Sequence, residues 1–163
     1  EATLSQARRT ILTPLPQNSI RQIKTASEVW TAIGSHVSHM SPEAHDATFA
    51  AVSHLPHLLA FAAVNALTSQ AQGQAFLEMA GPGFRDFSRI AASDPAVWRD
   101  ILSANQAEVL AQMTHFRAAL DQFENTLKRG DTAALQQLIQ QASAVRSAWT
   151  LQAGTACNTA SED

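Results

Sequence analysis

The chain has 163 residues, long enough for one domain with a core, or one domain and a piece of another. Hydrophobic residues make up 45% and charged residues 15%, the balance of a soluble globular protein, and a formal net charge of -3 offers no basic face for nucleic acid. The single cysteine, Cys157, cannot form an internal disulfide and fits a reducing cytoplasm.

The start, Glu-Ala-Thr-Leu-Ser-Gln-Ala-Arg-Arg, lacks an initiator Met and the basic-then-apolar order of a signal peptide, so it reads as internal to a longer protein. Arg9 to Thr13 is a β-prone run closed by Pro14 and Pro16. Asn18 or Ser19 can cap a helix with Ile23, Ala26, Trp30 and Ile33 at spacings of 3, 4 and 3, and Gly34 sits where a left-handed cap belongs. His36 to Met40 reads as a second strand. Strand, helix and strand together are what one crossover unit at the edge of an open α/β sheet would supply.

Ser41-Pro42, a cap followed by proline at the first helical position, opens a long apolar helix to about Leu67. Ala47 to Leu67 carries no Asp, Glu, Lys or Arg and has about the length of a membrane span. Polar residues are nevertheless distributed along it, which favours a buried central helix. Pro56 removes a backbone donor in mid-helix and predicts a kink near Val52 and Ser53. His54 and His57, three apart, project from one face about 60° wide beside that kink.

Asp94-Pro95 restarts a helix by the same logic. Val109, Met113, Phe116, Leu120, Phe123 and Leu127 then form a seam of alternating 4 and 3 spacing within Asn105 to Arg129. Arg129-Gly130-Asp131 stops that helix and caps another, with Leu135, Leu138, Ala142, Val145 and Trp149 in the same alternation. The two helices are expected to fold back as an antiparallel hairpin whose leftover apolar stripe pairs with a second copy.

On periodicity alone, His54 and His57 read as buried histidines bonded to backbone freed by Pro56. With no third ligand they make a poor zinc site. Arg85 and Arg89, four apart, read alone as a solvated surface pair, with Asp86 able to pair with Arg89. Gly81-Pro82-Gly83-Phe84-Arg85-Asp86 is not a dinucleotide fingerprint, since Asp86 stands where its third glycine belongs and no strand precedes it.

Three blocks change that balance: Val-Ser-His-Leu-Pro-His at 52 to 57, Gly-Pro-Gly-Phe-Arg-Asp-Phe-Ser-Arg at 81 to 89, and Ser-Asp-Pro-Ala-Val-Trp-Arg-Asp at 93 to 100. In this order and spacing they resemble the carboxy-terminal part of the prephenate/arogenate dehydrogenases. The likeness extends upstream through Met40-Ser41-Pro42-Glu43-Ala44-His45-Asp46 to Thr-Ile-Leu-Thr-Pro-Leu-Pro at 10 to 16. It implies a mainly α fold, a helical-bundle dimerisation domain of the 6-phosphogluconate-dehydrogenase carboxy-terminal type, preceded by a short β-α-β remnant of a Rossmann domain. The expected limits are 1–40 for the remnant, 41–155 for the helical substrate and dimerisation domain, and 156–163 for a polar tail.

By the same resemblance, His57 faces the substrate, prephenate or arogenate, and His54 lines the pocket. Arg89 grips a substrate carboxylate, Asp86 stands near the entrance, and Gly83 belongs, with Gly81 and Pro82, to a close-approach turn. Trp98 reaches the active site of the neighbouring subunit of a homodimer. The general-base histidine and the site for NAD or NADP would lie upstream, leaving this stretch inactive alone. Further implied are a cytoplasmic enzyme of tyrosine biosynthesis, inhibition by tyrosine, and no membrane or nucleic-acid partner. The rival reading is a non-enzymatic helical dimer that binds tyrosine or a related carboxylate as a regulator through the Arg89 and His57 pocket; another, from architecture alone, is the helical domain of a different dehydrogenase family.

Overall fold

A computed structural model describes residues 8–150; the first seven residues, Cys157 and the expected tail at 156–163 lie outside the described residues. The chain divides into two compact units, one containing residues through His45 together with the segment from Phe123, the other Asp46–Gln122.

In the first unit, strand β1 (Arg9–Leu12) pairs in parallel with β2 (His36–His39), Arg9 opposite His36 and Leu12 opposite His39. Parallel neighbours need a crossover, here helix α1 (Ile20–Ala32), which packs on both strands. Ser19 is its N-cap in a full capping box with Gln22, worth about 1 kcal/mol. Gly34 follows with φ of 91°, a left-handed position that glycine takes at no steric cost.

A continuous helical stretch runs from α2 (Pro42–Phe49) through a π turn (Ala50–His54) into α3 (Leu55–Thr68). Ser41 caps it, its Oγ accepting from the Ala44 amide at 3.1 Å. Where a kink was expected, near Val52 and Ser53, the helix carries this π turn: the Leu55 amide reaches back five residues to the Ala50 carbonyl just before Pro56, which has no amide to donate. The widened turn absorbs the missing donor without ending the helix.

The second unit continues through α4 (Gly73–Glu78), α5 (Pro82–Ser88), a 3-10 turn (Arg89–Ala92) and α6 (Pro95–Ala104). Helices α4 and α5 and the 3-10 turn all pack on α3. Gly73 is obligatory, because a Cβ there would lie 2.5 Å from the Leu67 carbonyl oxygen, inside contact distance. Helix α7 (Gln106–Arg129) ends at Gly130, φ 64°, and α8 (Thr132–Ala148) is capped by Asp131.

Burial departs from the sequence reading. Among the described residues the buried apolar side chains are Ala50, Ala60 and Val109, and no large side chain is fully buried. The expected buried central helix is therefore corrected for the single chain: Pro42–Thr68 is long and apolar enough to cross a membrane, with a mean hydropathy of 1.5, and 17% of that apolar window is buried. The α7 seam is buried at Val109 and open farther along, with Leu120 53% and Leu127 62% exposed.

Candidate functional site

The π turn and Pro56 set the histidine pair. His57, in the first turn of α3, places its Nδ1 2.9 Å from the Ser53 carbonyl oxygen. A carbonyl only accepts, so Nδ1 carries the proton and donates. His54 places its Nδ1 3.2 Å from the side-chain nitrogen of Asn105, which also donates to the Asp46 carbonyl at 2.8 Å. Both imidazoles are half-buried.

Trp98 joins them. Asp94 caps α6 by accepting from the Ala96 and Val97 amides, both at 2.9 Å, so Trp98 falls in the first turn at a fixed azimuth. Its indole stacks on His57 with ring centres 3.6 Å apart and planes 19° from parallel, meets His54 edge-on at 6.3 Å, and meets Phe61 edge-on at 6.3 Å. This contact lies within one chain. A cleft of about 350 Å³ borders Trp98, with Phe61, Val64, Asn65, Arg99 and Leu102 in its wall; the histidines and Arg89 are not part of that wall.

Arg89 opens the 3-10 turn that packs on α3, the helix carrying His57. Its two neighbours in type are engaged: Arg85 Nε donates to Asp86 at 3.0 Å and Arg99 Nε to Asp100 at 2.8 Å. Asp86 is thus clasped by Arg85, next to it in sequence, which corrects the expected pairing with Arg89. Adjacent residues can reach each other from the exposed face of α5, both about three-quarters exposed. Arg89 has no ion pair among the described residues and is exposed. The planar fork of a guanidinium in that condition suits a carboxylate.

Gly83 is not in a turn. Gly81 is the N-cap of α5, in extended conformation with φ of -101° and ψ of -170°, and Pro82 and Gly83 are already helical. A Cβ on Gly81 or Gly83 would meet nothing within 4 Å, so none of the described residues makes a close approach there. Sequence reasoning missed Asn105 and Phe61. Asn105 was legible only as the start of a helix, because its partners lie 51 and 59 residues away.

The fit to a dinucleotide is poor. The loop from β1 to α1, Thr13 to Ser19, holds two prolines and no glycine, so it cannot bring backbone amides around a pyrophosphate as a glycine-rich turn does.

Residues 41–141 match the family model for the prephenate dehydrogenase dimerization domain. The chain is 31% identical over 132 residues to a cyclohexadienyl dehydrogenase of Zymomonas mobilis, covering 80% of this chain and 45% of that protein. It is 30% identical over 126 residues to a prephenate dehydrogenase of Bacillus subtilis, covering 77% and 34%. Among solved structures, prephenate dehydrogenase from Aquifex aeolicus in complex with hydroxyphenyl propionate and NAD+ superposes with a TM-score of 0.81 at 35% identity, covering 87% of this chain and 50% of that one. The chain thus spans half or less of the length of these relatives.

Proposed function

This chain belongs to the prephenate dehydrogenase family, whose dimerization domain it carries, and on that premise we propose that it is the dimer-forming, substrate-recognising part of a prephenate or arogenate dehydrogenase. The reaction would oxidise the cyclohexadiene ring by hydride transfer to NAD or NADP with loss of carbon dioxide, driven by aromatisation. Prephenate would give 4-hydroxyphenylpyruvate, and arogenate would give tyrosine. The cofactor and the general-base histidine would come from residues outside this sequence, and the chain alone would be inactive.

The observation that carries this reading is the state of Arg89. It is a guanidinium without an ion pair among the described residues, on a turn packed against the helix of His57, while Arg85 and Arg99 are already committed to carboxylates. Arg89 would grip a substrate carboxylate and His54 and His57 would orient the ring substituents. Asp86 and Gly83 would lie at the entrance, and Trp98 would wall the site of the neighbouring subunit. Tyrosine, which shares a carboxylate with the substrate, would inhibit by occupying the same arginine.

A homodimer accounts for the exposed apolar surface. A second copy against α3, α7 and α8 would bury the stripe that the single chain leaves open and would give the apolar Pro42–Thr68 helix a protein surrounding in a cytoplasmic enzyme rather than a membrane. The domain limits 1–40 and 41–155 remain part of this proposal.

Calorimetric titration of the chain with prephenate, arogenate and tyrosine, wild type against Arg89→Ala, tests it. Binding of one of these dicarboxylate or amino-acid ligands that is lost in the variant is expected. Equal binding by both would remove Arg89 from the site.

A further inference from the structure

We propose that Asn105 is a positioning residue for the histidine pair: its side-chain amide holds His54 in the tautomer with the proton on Nε2. The inference rests on the reading of His54 as a residue of the substrate site and adds a residue that neither the sequence motifs nor the family match assigns.

Three observations carry it. The first is that the backbone of Asn105 is held on both sides. Its amide donates to the Ile101 carbonyl at 3.2 Å, closing α6, and its carbonyl accepts from the Val109 amide at 3.1 Å, opening α7. The side chain therefore starts from a fixed point at the junction of two helices.

The second is that the orientation of its amide is determined. The side-chain nitrogen lies 2.8 Å from the Asp46 carbonyl oxygen, an acceptor only. Turned over, the amide would set oxygen against oxygen at that distance. One of its two hydrogens is committed to Asp46, and the other faces His54 Nδ1 at 3.2 Å.

The third follows from those two. His54 Nδ1 faces a donor and must offer its lone pair, so the neutral ring carries its hydrogen on Nε2. His57 is fixed the opposite way, because its Nδ1 donates to the Ser53 carbonyl at 2.9 Å and its lone pair lies on Nε2. The two imidazoles, three residues apart and both against Trp98, thus differ in chemistry: His54 offers an N–H suited to a carboxylate or carbonyl oxygen, and neutral His57 offers an acceptor suited to a hydroxyl or ammonium hydrogen. Asn105 also ties the end of α6, the helix of Trp98, to the π turn that carries His54.

Nitrogen-15 NMR of the histidine rings in the full-length protein, with His54 assigned by comparison with His54→Gln, reads the tautomer directly. The expected spectrum shows His54 protonated at Nε2 and bare at Nδ1, and in Asn105→Leu it changes to an average of both tautomers. The same Asn105→Leu variant is expected to lose about tenfold to a hundredfold in kcat/KM, the consequence of one misplaced hydrogen bond, and to cause no further loss when His54 is already Gln. Protonation at Nδ1 in the wild type, an unchanged spectrum in Asn105→Leu, or a full further loss in the His54→Gln background would each overturn the proposal. Should Asn105→Leu fail to fold, the wild-type spectrum still decides it. If the spectra are as expected but His54→Gln keeps wild-type kcat/KM, the positioning by Asn105 stands and the assignment of His54 to the substrate site fails.

Discussion

Arg89 has no ion pair among the described residues, while the arginines on either side of it in sequence, Arg85 and Arg99, are paired with carboxylates. If Arg89 grips a substrate carboxylate as proposed, Arg89→Ala in the full-length protein is expected to lower kcat/KM by about 2 to 4 kcal/mol, roughly 30-fold to 1000-fold, the range for removing one partner of a charge-assisted pair. Arg85→Ala, whose partner is the adjacent and exposed Asp86, is expected to change it by less than about threefold. Equal losses in steady-state assays of the two variants would remove the distinction. Glycines offer a second contrast. Gly73→Ala should destabilise, since its new methyl meets the Leu67 carbonyl, whereas Gly83→Ala sits in a helix with open space and should stabilise the fold by about 0.5 to 1 kcal/mol. If Gly83 borders bound substrate, the variant will melt higher and bind substrate more weakly, an outcome that thermal melts and KM separate. At this scale the histidines and Trp98 were legible as residues worth naming, from their motifs. Their mutual geometry was not, because a 3.6 Å stack between residues 41 positions apart has no signature in local spacing.

Elements were the most legible level, and the reason is chemical. Each boundary is marked by a side chain that supplies a missing backbone partner: Ser19, Ser41, Asp94 and Asp131 at helix starts, Gly34 and Gly130 at positive φ after helix ends. Two elements were not legible. The stretch 73–78 forms α4 without a side-chain cap, and Gly81-Pro82-Gly83 opens α5 instead of forming a turn, since proline at the first helical position outweighs the two glycines beside it. The π turn is the element that bears on the proposed site. Pro56 forces a departure from α geometry ahead of it, and the departure places the Ser53 carbonyl within reach of His57. Pro56→Ala restores an amide and permits a regular helix. The variant is expected to be at least as stable as the wild type within about 1 kcal/mol, yet to lose about tenfold in kcat/KM as His57 loses its fixed orientation. A variant that unfolds readily with normal specific activity would make Pro56 a structural residue only.

At the scale of the whole molecule, the described residues of the single chain leave much apolar surface uncovered. A chain of this size ordinarily buries most of the surface its unfolded form exposes, and among the described residues no large side chain is fully buried while Leu120, Leu127 and Val145 stand more than half exposed. The heptad-like spacing along α7 was legible as a seam, but sequence periodicity states only that a stripe must be covered, never by which chain. A second copy is the proposed cover, so Leu120→Glu should shift the mass in solution from dimer to monomer and lower the melting temperature together. A monomer with unchanged stability would show that the seam faces something else. Dimerisation would also bear on the site itself, since Trp98 lies on its own chain's His57 in the structure and is proposed to serve the neighbouring subunit. Mixing full-length Trp98→Ala and Arg89→Ala proteins, each expected to be impaired alone, separates the two arrangements. If the indole completes the partner's site, a mixed dimer contains one site with both residues intact, and activity should reappear on mixing and exchange of subunits. If the indole serves only the chain that carries it, each subunit of the mixed dimer has one defect in its own site and no activity returns.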